Sequence, residues 1–288
     1  MIYVVVPTYG KVEETEKLFF SIKACENIKF KFLVVDAHVE RPYLKSSIIS
    51  FENVTVLCPD DEVWWVGAIN FAINYLSGLK LFDDDVIIFA NSDVIIDPAS
   101  IDKLVDYAVL KEALFHPLTY SEKGARLSSG VKILSWLPYI TKRPPLDSVD
   151  DFFKVDCANT RFLVFRYKIL KRVGLVNSDL VQYQGDYDFT YSAKKLGFDT
   201  YIACRASCVV DESETGLKNN NIKSFKELYF SFFKIRSSNN IKYRFLFVSK
   251  FFPAVIALFI VLSMTLNSIV RYIITMNFLN IKSKDKML

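Results

Sequence analysis

The tripeptide Asn91-Ser92-Asp93 stands where the apolar run from Val86 to Ala90 stops. Such a run reads as a buried strand, and in an open α/β sheet ligands collect outside the carboxyl ends of the strands, so a carboxylate there is placed to meet one. The plain alternative for Asp93 is a turn residue. Asp83, Asp84 and Asp85 precede the same run. At about 3.3 Å per residue the strand holds its ends roughly 16 Å apart, so this trio shares no site with Asp93 and reads as a solvated strand entrance. A second acidic pair, Asp186 and Asp188, opens a helical pattern from Gly185 to Leu196. Two positions on a helix are about 200° apart, so these carboxylates are not a dyad. Asp186 shares a face with Phe189, Ala193 and Leu196, whereas Asp188 shares its side with Lys195. Asp186 is therefore expected inward and Asp188 outward. An inward carboxylate needs partners or a pocket, which leaves two readings for Asp186: a proton-transfer group or an N-terminal cap.

The elements that must position these acids alternate. Strands are expected at Ile2 to Val6, Phe32 to Val35, Val54 to Leu57, Val86 to Phe89, Ala113 to His116, Arg161 to Arg166 and Thr200 to Ala203. Helices are expected at Val12 to Ala24, Trp65 to Leu79, Ser100 to Leu110 with Ser100 as N-cap, Lys168 to Val173 stopped by Gly174, and from Gly185 onward. This alternation marks βα units around a largely parallel sheet. From Pro117 to Asp151 the pattern lapses, and an irregular insertion is expected, either an acceptor-binding lid or a surface excursion.

With 288 residues, 51% of them hydrophobic, the chain can bury one main core and carry an appendage. A formal charge of +4 gives no argument for nucleic acid. Five cysteines without a CxxC pair speak against a disulfide framework and a zinc knuckle, and fit a reducing compartment. The chain opens on Met1-Ile-Tyr-Val-Val-Val6 with no basic leader, so no signal peptide is expected and the amino-terminal part is expected in the cytoplasm.

Five stretches occur in the order seen in family 2 glycosyltransferases: Ile2 to Tyr9, the strand ending Val35-Asp36, Trp65-Val-Gly-Ala-Ile-Asn70, Asn91-Ser-Asp93 and Gly185-Asp-Tyr-Asp188. The chain resembles that family over about Met1 to Gly216. The resemblance implies a GT-A fold, a nucleotide-diphosphate sugar donor, a divalent cation (Mg²⁺ or Mn²⁺) and inversion at the anomeric carbon. By the same likeness Pro7, Thr8 and Tyr9 lie beside the nucleotide and Asp36 on its base, with Gly67, Asn70, Asn91 and Ser92 near the donor. The competing reading of Pro7 is a strand terminator, and that of Gly67 is helix packing. Trp64 and Trp65 either wall the pocket or fill the core. Asp93 matches the last carboxylate of the family's metal motif, whose first position usually holds aspartate and here holds Asn91. A histidine usually follows further on as a second ligand. Here Asp211 stands in the corresponding stretch, and neither His38 nor His116 falls there. Asp186 becomes the base that takes the acceptor's hydroxyl proton.

After a boundary near Asn219-Asn220-Asn221, residues 217–288 read as a membrane-associating helical appendage following a catalytic domain at 1–216. Between Lys223 and Lys250 seven basic residues face one acid, Glu227. Phe225, Leu228, Tyr229, Phe232 and Phe233 form one helical stripe, with Lys226 and Lys234 off it. Phe251 to Val270 carries no charge but holds Pro253, Ser263, Thr265, Asn267 and Ser268. An interfacial anchor on the cytoplasmic face of the cell membrane is the first reading, a single span the second and a soluble oligomerisation helix the third. The function expected is transfer of one sugar to a lipid-linked or surface-polysaccharide precursor, a glycan or glycolipid acceptor. A catalytically silent membrane scaffold and a nucleotidyltransferase stay open as alternatives, the latter disfavoured by the absence of a glycine-rich basic loop after the first strand.

Overall fold

The computed structural model describes residues 1–25, 28–38, 40, 46–145, 150–210, 222 and 224–284, with side chains as far as 276. The chain opens as β1 (Ile2–Thr8), α1 (Val12–Lys23), β2 (Phe30–Asp36), β3 (Val54–Leu57), α2 (Trp65–Ser77) and β4 (Val86–Ala90). It continues through β5 (Val94–Ile96), α3 (Pro98–Leu110), β6 (Ala113–Ser121), β7 (Gly130–Ser135) and β8 (Ile140–Lys142). Next come β9 (Phe152–Val155), β10 (Cys157–Ala158), β11 (Phe162–Arg166), α4 (Tyr167–Val173), α5 (Gly185–Lys195) and β12 (Asp199–Val210). Three helices close the described chain: α6 (Phe225–Ser231), α7 (Ile241–Ser249) and α8 (Ala254–Lys284).

The main sheet runs β3-β2-β1-β4-β11-β6-β12-β5, with β9 also paired to β12. β3, β2, β1 and β4 are parallel to one another, and β11 reverses direction against β4. β1 and β4 are buried along their whole length because both faces are covered, which is why they read as unbroken apolar runs. One face packs Leu18, Phe19 and Ile22 of α1 with Ile101 and Leu104 of α3; the other packs Ile69 and Ile73 of α2 with Phe189 of α5. Parallel pairing places Thr8 beside Asp36 and Val5 beside Phe89, so the carboxyl ends of β1, β2 and β4 share one rim.

Four expectations are corrected. Within the described residues, the stretch from Pro117 to Asp151 is partly regular: β6 runs through Pro117 to Ser121, and β7 pairs antiparallel with both β8 and β10 in a small second sheet. Pro117 is tolerated because β11 pairs with β6 only at Phe115, so no ladder bond from its nitrogen is required on that side. The cap of α3 is Asp97, which accepts from the Ser100 amide at 2.9 Å and from its hydroxyl at 2.6 Å, with Pro98 in the first turn. In the acidic trio only Asp85 departs from the reading: it is buried and accepts from the Met1 amino group and the Phe82 amide, both at 2.9 Å, while Asp84 and Asp83 are exposed as expected and pair with Arg166 and Lys171. The aromatic stripe of α6 divides: Leu228 and Phe232 are buried, whereas Phe225, Tyr229 and Phe233 face outward.

The carboxyl-terminal helices share a core with the sheet. Tyr243, Phe247 and Val248 of α7 and Ala257, Ile260, Val261 and Met264 of α8 join the cluster that holds Phe165 and Phe189. Those α8 positions recur at helical spacing and make one inward stripe. The polar residues of α8 lie toward the body: Ser263 accepts from the Tyr139 amide at 2.8 Å, Asn267 donates to the Tyr139 carbonyl, and Ser268 accepts from Arg244 at 3.0 Å. Val255, Ile256, Leu258, Phe259, Leu262 and Leu266 are exposed on the other side. Ala254–Met276 is long and apolar enough to cross a membrane.

Candidate active site

A cavity of about 410 Å³ opens at the shared rim. Its walls include Pro7, Thr8 and Tyr9 after β1, Asn91, Ser92 and Asp93 after β4, and Asp186 in the first turn of α5. Residues from opposite ends of the sequence meet here because β11 carries the chain back beside β4, and the Asn91 amide donates to the Arg161 carbonyl at 2.9 Å. Trp64 and Trp65 both line the cavity, and Trp65 also packs against the core, so the wall reading holds for both and the core reading for Trp65 as well.

The start of α5 is held by close packing. Gln184, at φ 70°, is the one non-glycine residue with positive φ among the described residues, a backbone cost of about 1 kcal/mol tolerated where the surroundings fix it. Gly185 follows, and a Cβ there would lie 2.6 Å from Val66 Cγ2 and 3.1 Å from the Trp65 ring. Only glycine lets α5 approach the start of α2 this closely. The backbone amides at that helix start are engaged by the same loop: Trp65 donates to Gln182 Oε1 at 3.3 Å and Val66 to the Val181 carbonyl at 3.2 Å.

This packing turns Asp186 into the cavity. The N-cap position of α5 is held by Gln184, and Asp186 faces the cleft with its Oδ1 accepting from the adjacent Tyr187 amide at 2.9 Å. Desolvation raises its pKa to about 6, against the opposing pull of the Tyr187 amide and the Arg161 charge. Such a carboxylate is ionised at neutral pH yet more basic than an ordinary aspartate. Asp188 corrects the expectation for its side of the helix, since it is fully buried. Lys250, at the carboxyl end of α7, donates to its two oxygens at 2.8 and 2.9 Å, and the Asn177 amide donates to Oδ2 at 3.1 Å. The face read as solvent-facing from α5 alone is covered by a segment sixty residues further on.

Asp36, Gly67 and Asn70 do not line the cavity. Asp36 is buried at the end of β2, where its Oδ1 accepts from the His38 amide at 3.1 Å, and the adjoining Ala37 forms part of the wall. Gly67 packs against Val63, whose Cβ would lie 2.9 Å from an added Cβ. Asn70 exchanges two hydrogen bonds with the Val176 backbone, both 2.9 Å, and so ties α2 to the loop before α5. Asp211 lies outside the described residues. The last described residue before it, Val210, pairs with Val94, the neighbour of Asp93.

Sequence reading missed Lys11, Glu62, Arg161, Gln182, Tyr183 and Arg236, which also line the cavity. Arg236 comes from the connection between α6 and α7 and lies 5.2 Å over the Trp64 ring. Its signal was hidden in the basic segment read as a membrane patch. In that segment Arg236 turns to the cavity, Lys250 to Asp188, and Arg244 is buried with bonds to Asn239 and Ser268.

No cluster of three His, Cys, Asp or Glu side chains is present among the described residues. The oxygen donors at the rim, the Asp93 carboxylate with Asn91 and Ser92 beside it, suit a hard cation that draws its remaining ligands from a bound diphosphate and water.

A mixed sheet with helices on both faces and a cleft at the carboxyl ends of its parallel strands defines a GT-A fold, and solved structures of that class superpose on it. GalNAc-T7, solved with UDP, GalNAc and Mn²⁺, matches with a TM-score of 0.59 at 12% identity over 73% of this chain and 43% of its own. The mannosyltransferase PcManGT of Pyrobaculum calidifontis, solved with GDP-Man and Mn²⁺, gives 0.55 at 11% identity over 86% of this chain and 63% of its own. TarS of S. aureus gives 0.53 at 13% identity over 88% of this chain and 50% of its own. The chain thus spans less than two thirds of each of these three proteins. No curated protein matches the sequence. The model of the family described as glycosyltransferase like family 2 matches residues 1–228, and the chain belongs to that family.

Proposed function

We propose that the protein is an inverting glycosyltransferase that moves one sugar from a nucleotide-diphosphate sugar to a hydroxyl of a lipid-linked or surface-polysaccharide precursor. The observation that carries this is one cavity lined by both Asp93 and Asp186, together with residues at the ends of β1 and β4. Pro7, Thr8 and Tyr9 would hold the nucleotide with Asp36 behind them, and Asn91 and Ser92 would flank the donor's diphosphate. Gly67 and Asn70 would serve the donor through Val63 and the Val176 loop. Asp93, joined by Asp211, would hold Mg²⁺ or Mn²⁺, a reading supported by the Mn²⁺ with which GalNAc-T7 and PcManGT were solved. Bound there, the cation would neutralise charge gathering on the leaving diphosphate.

Asp186 takes the proton of the acceptor hydroxyl as the oxygen bonds to the anomeric carbon. The bond from that carbon to the donor phosphate breaks on the opposite face, and the electron pair leaves with the nucleoside diphosphate. Attack and departure on opposite faces give inversion. Asp93→Ala tests the donor half. Titration of UDP and GDP against the full chain with Mn²⁺ should give an affinity lost about tenfold or more in the variant, a change of ~1.4 kcal/mol. Binding that is unchanged by the substitution, or absent from the unsubstituted protein across a panel of nucleotides, would reject the assignment and favour a silent scaffold.

We propose further that residues 1–216 are the catalytic part and 217–288 the membrane-associating part, seated on the cytoplasmic face. The support is the sorting within α8, whose polar side chains turn to the body while Val255, Leu258, Phe259, Leu262 and Leu266 turn outward. A helix packed along one side against a folded body suits half-immersion in a bilayer surface. Phe225, Tyr229 and Phe233 add an aromatic edge, and Phe225 meets Tyr272 of α8 at 6.4 Å. Carbonate washing of membranes should leave the protein in the pellet, and replacing Leu258, Phe259 and Leu262 by serine should release it. Full release of the unsubstituted protein would count against embedding.

A further inference from the structure

We infer that Arg236 is a phosphate-binding residue of the cleft, so that the carboxyl-terminal segment completes the active site as well as anchoring it. This rests on the glycosyltransferase reading above. Arg236 lies beyond residues 1–228 matched by the family model, between α6 and α7, yet it lines the same cavity as Asp93 and Asp186. Its guanidinium sits 5.2 Å over the Trp64 ring, a cation–π contact that holds the group against the cavity wall. A planar fork held this way matches the oxygens of a phosphate in two parallel bonds, which a lysine ammonium cannot do.

The position spans the cleft. Arg236 shares the cavity with Tyr9, which follows β1, and with Tyr183, which precedes α5 and Asp186. Two further cations line the same cavity: Lys11 lies 3.7 Å from Glu14, and Arg161 donates to the Ser128 carbonyl at 3.3 Å. The cavity also holds the carboxylates Glu14, Glu62, Asp93 and Asp186, so an anionic substrate entering it needs cations on the wall to offset them. Arg236 meets that need from a segment whose neighbour Phe233 faces outward among the apolar side chains.

Phosphate enters such a cleft from two sources, the donor's diphosphate or a phosphate that joins the acceptor to its lipid. The full chain in detergent is titrated with UDP and GDP in the presence of Mn²⁺, and separately with farnesyl diphosphate, for the native protein, Arg236→Gln and Arg236→Lys. A tenfold or greater loss of nucleotide affinity in Arg236→Gln assigns the residue to the donor; the same loss confined to farnesyl diphosphate assigns it to the acceptor. In either case Arg236→Lys recovers part of the affinity at most, because it keeps the charge and loses the fork. Changes under twofold for both ligands in Arg236→Gln, with the native protein binding normally, overturn the inference and leave the glycosyltransferase reading intact. A native protein that binds neither nucleotide overturns both.

Discussion

Asp186→Asn removes the base and leaves the cavity its shape, so sugar transfer falls by about 10²- to 10⁴-fold while nucleotide affinity stays within a fewfold of native. Fold loss does not explain such a result away, because the sign of the stability change is the opposite. The folded-state pKa of Asp186 is about 6, above the ordinary aspartate value of about 3.9, so folding favours the protonated form. Stability held by the neutral carboxyl below pH 4 is given up as pH rises toward 6, and at neutral pH the folded protein carries a desolvated charge. Asparagine removes that charge, and the melting temperature at pH 7.5 should match or exceed the native one. In the native enzyme the rate should climb with pH through about 6 as the carboxylate forms, and the residual rate of Asp186→Asn should lack this limb. A variant that turns over near the native rate, or a native profile flat from pH 5 to 7, would remove Asp186 from the role of base.

Most of the sheet was legible because its strands are buried on both faces and bounded by sharp changes of pattern. β3 falls at Val54–Leu57 as read, and β1 and β4 extend the reading by one or two residues at the rim. Those added residues matter, because they carry the strand ends into the cleft beside Tyr9 and Asn91. The small second sheet was not legible. β7 and β8 are short and mostly half-buried or exposed, so alternation is weak, and Gly130 sits where a Cβ would be 2.7 Å from the Cys157 carbonyl, a close backbone approach that local sequence does not reveal. In the site, Asp93 and Asp186 could be singled out from their own elements. Asn70 and Gly67 could not be judged that way, since the structural partners that keep them out of the cavity lie elsewhere, at Val176 for the one and just before the helix at Val63 for the other. Arg236 and Lys250 were read as surface charge for the same reason. Periodicity describes what an element offers to its neighbours, and the identity of those neighbours is a property of the fold.

Lys250→Met should be the most destabilising single change in the carboxyl-terminal segment. Asp188 is 0% exposed, and its carboxylate accepts three hydrogen bonds from two groups, the Lys250 ammonium at 2.8 and 2.9 Å and the Asn177 amide at 3.1 Å. Breaking a buried pair by removing one partner leaves an uncompensated charge and costs about 3–5 kcal/mol, far more than loss of a surface ion pair. Because Lys250 is partly exposed, water can reach the vacated position, so the lower part of that range is expected for this pair. The double variant Lys250→Met with Asp188→Leu should recover much of the loss, since replacing both partners by apolar groups removes the stranded charge along with the bond. Thermal unfolding of the two single variants and the double closes the cycle. The same pair also joins α7 to the helix that carries Asp186, two residues away and facing the cleft. Lys250→Met should therefore lower sugar transfer as well as the melting temperature, and the double variant should restore the melting temperature more fully than the rate. Single variants that unfold like the native protein would mean that Asp188 is charge-compensated by water or by another group, and that the carboxyl-terminal helices are held by their apolar stripe alone.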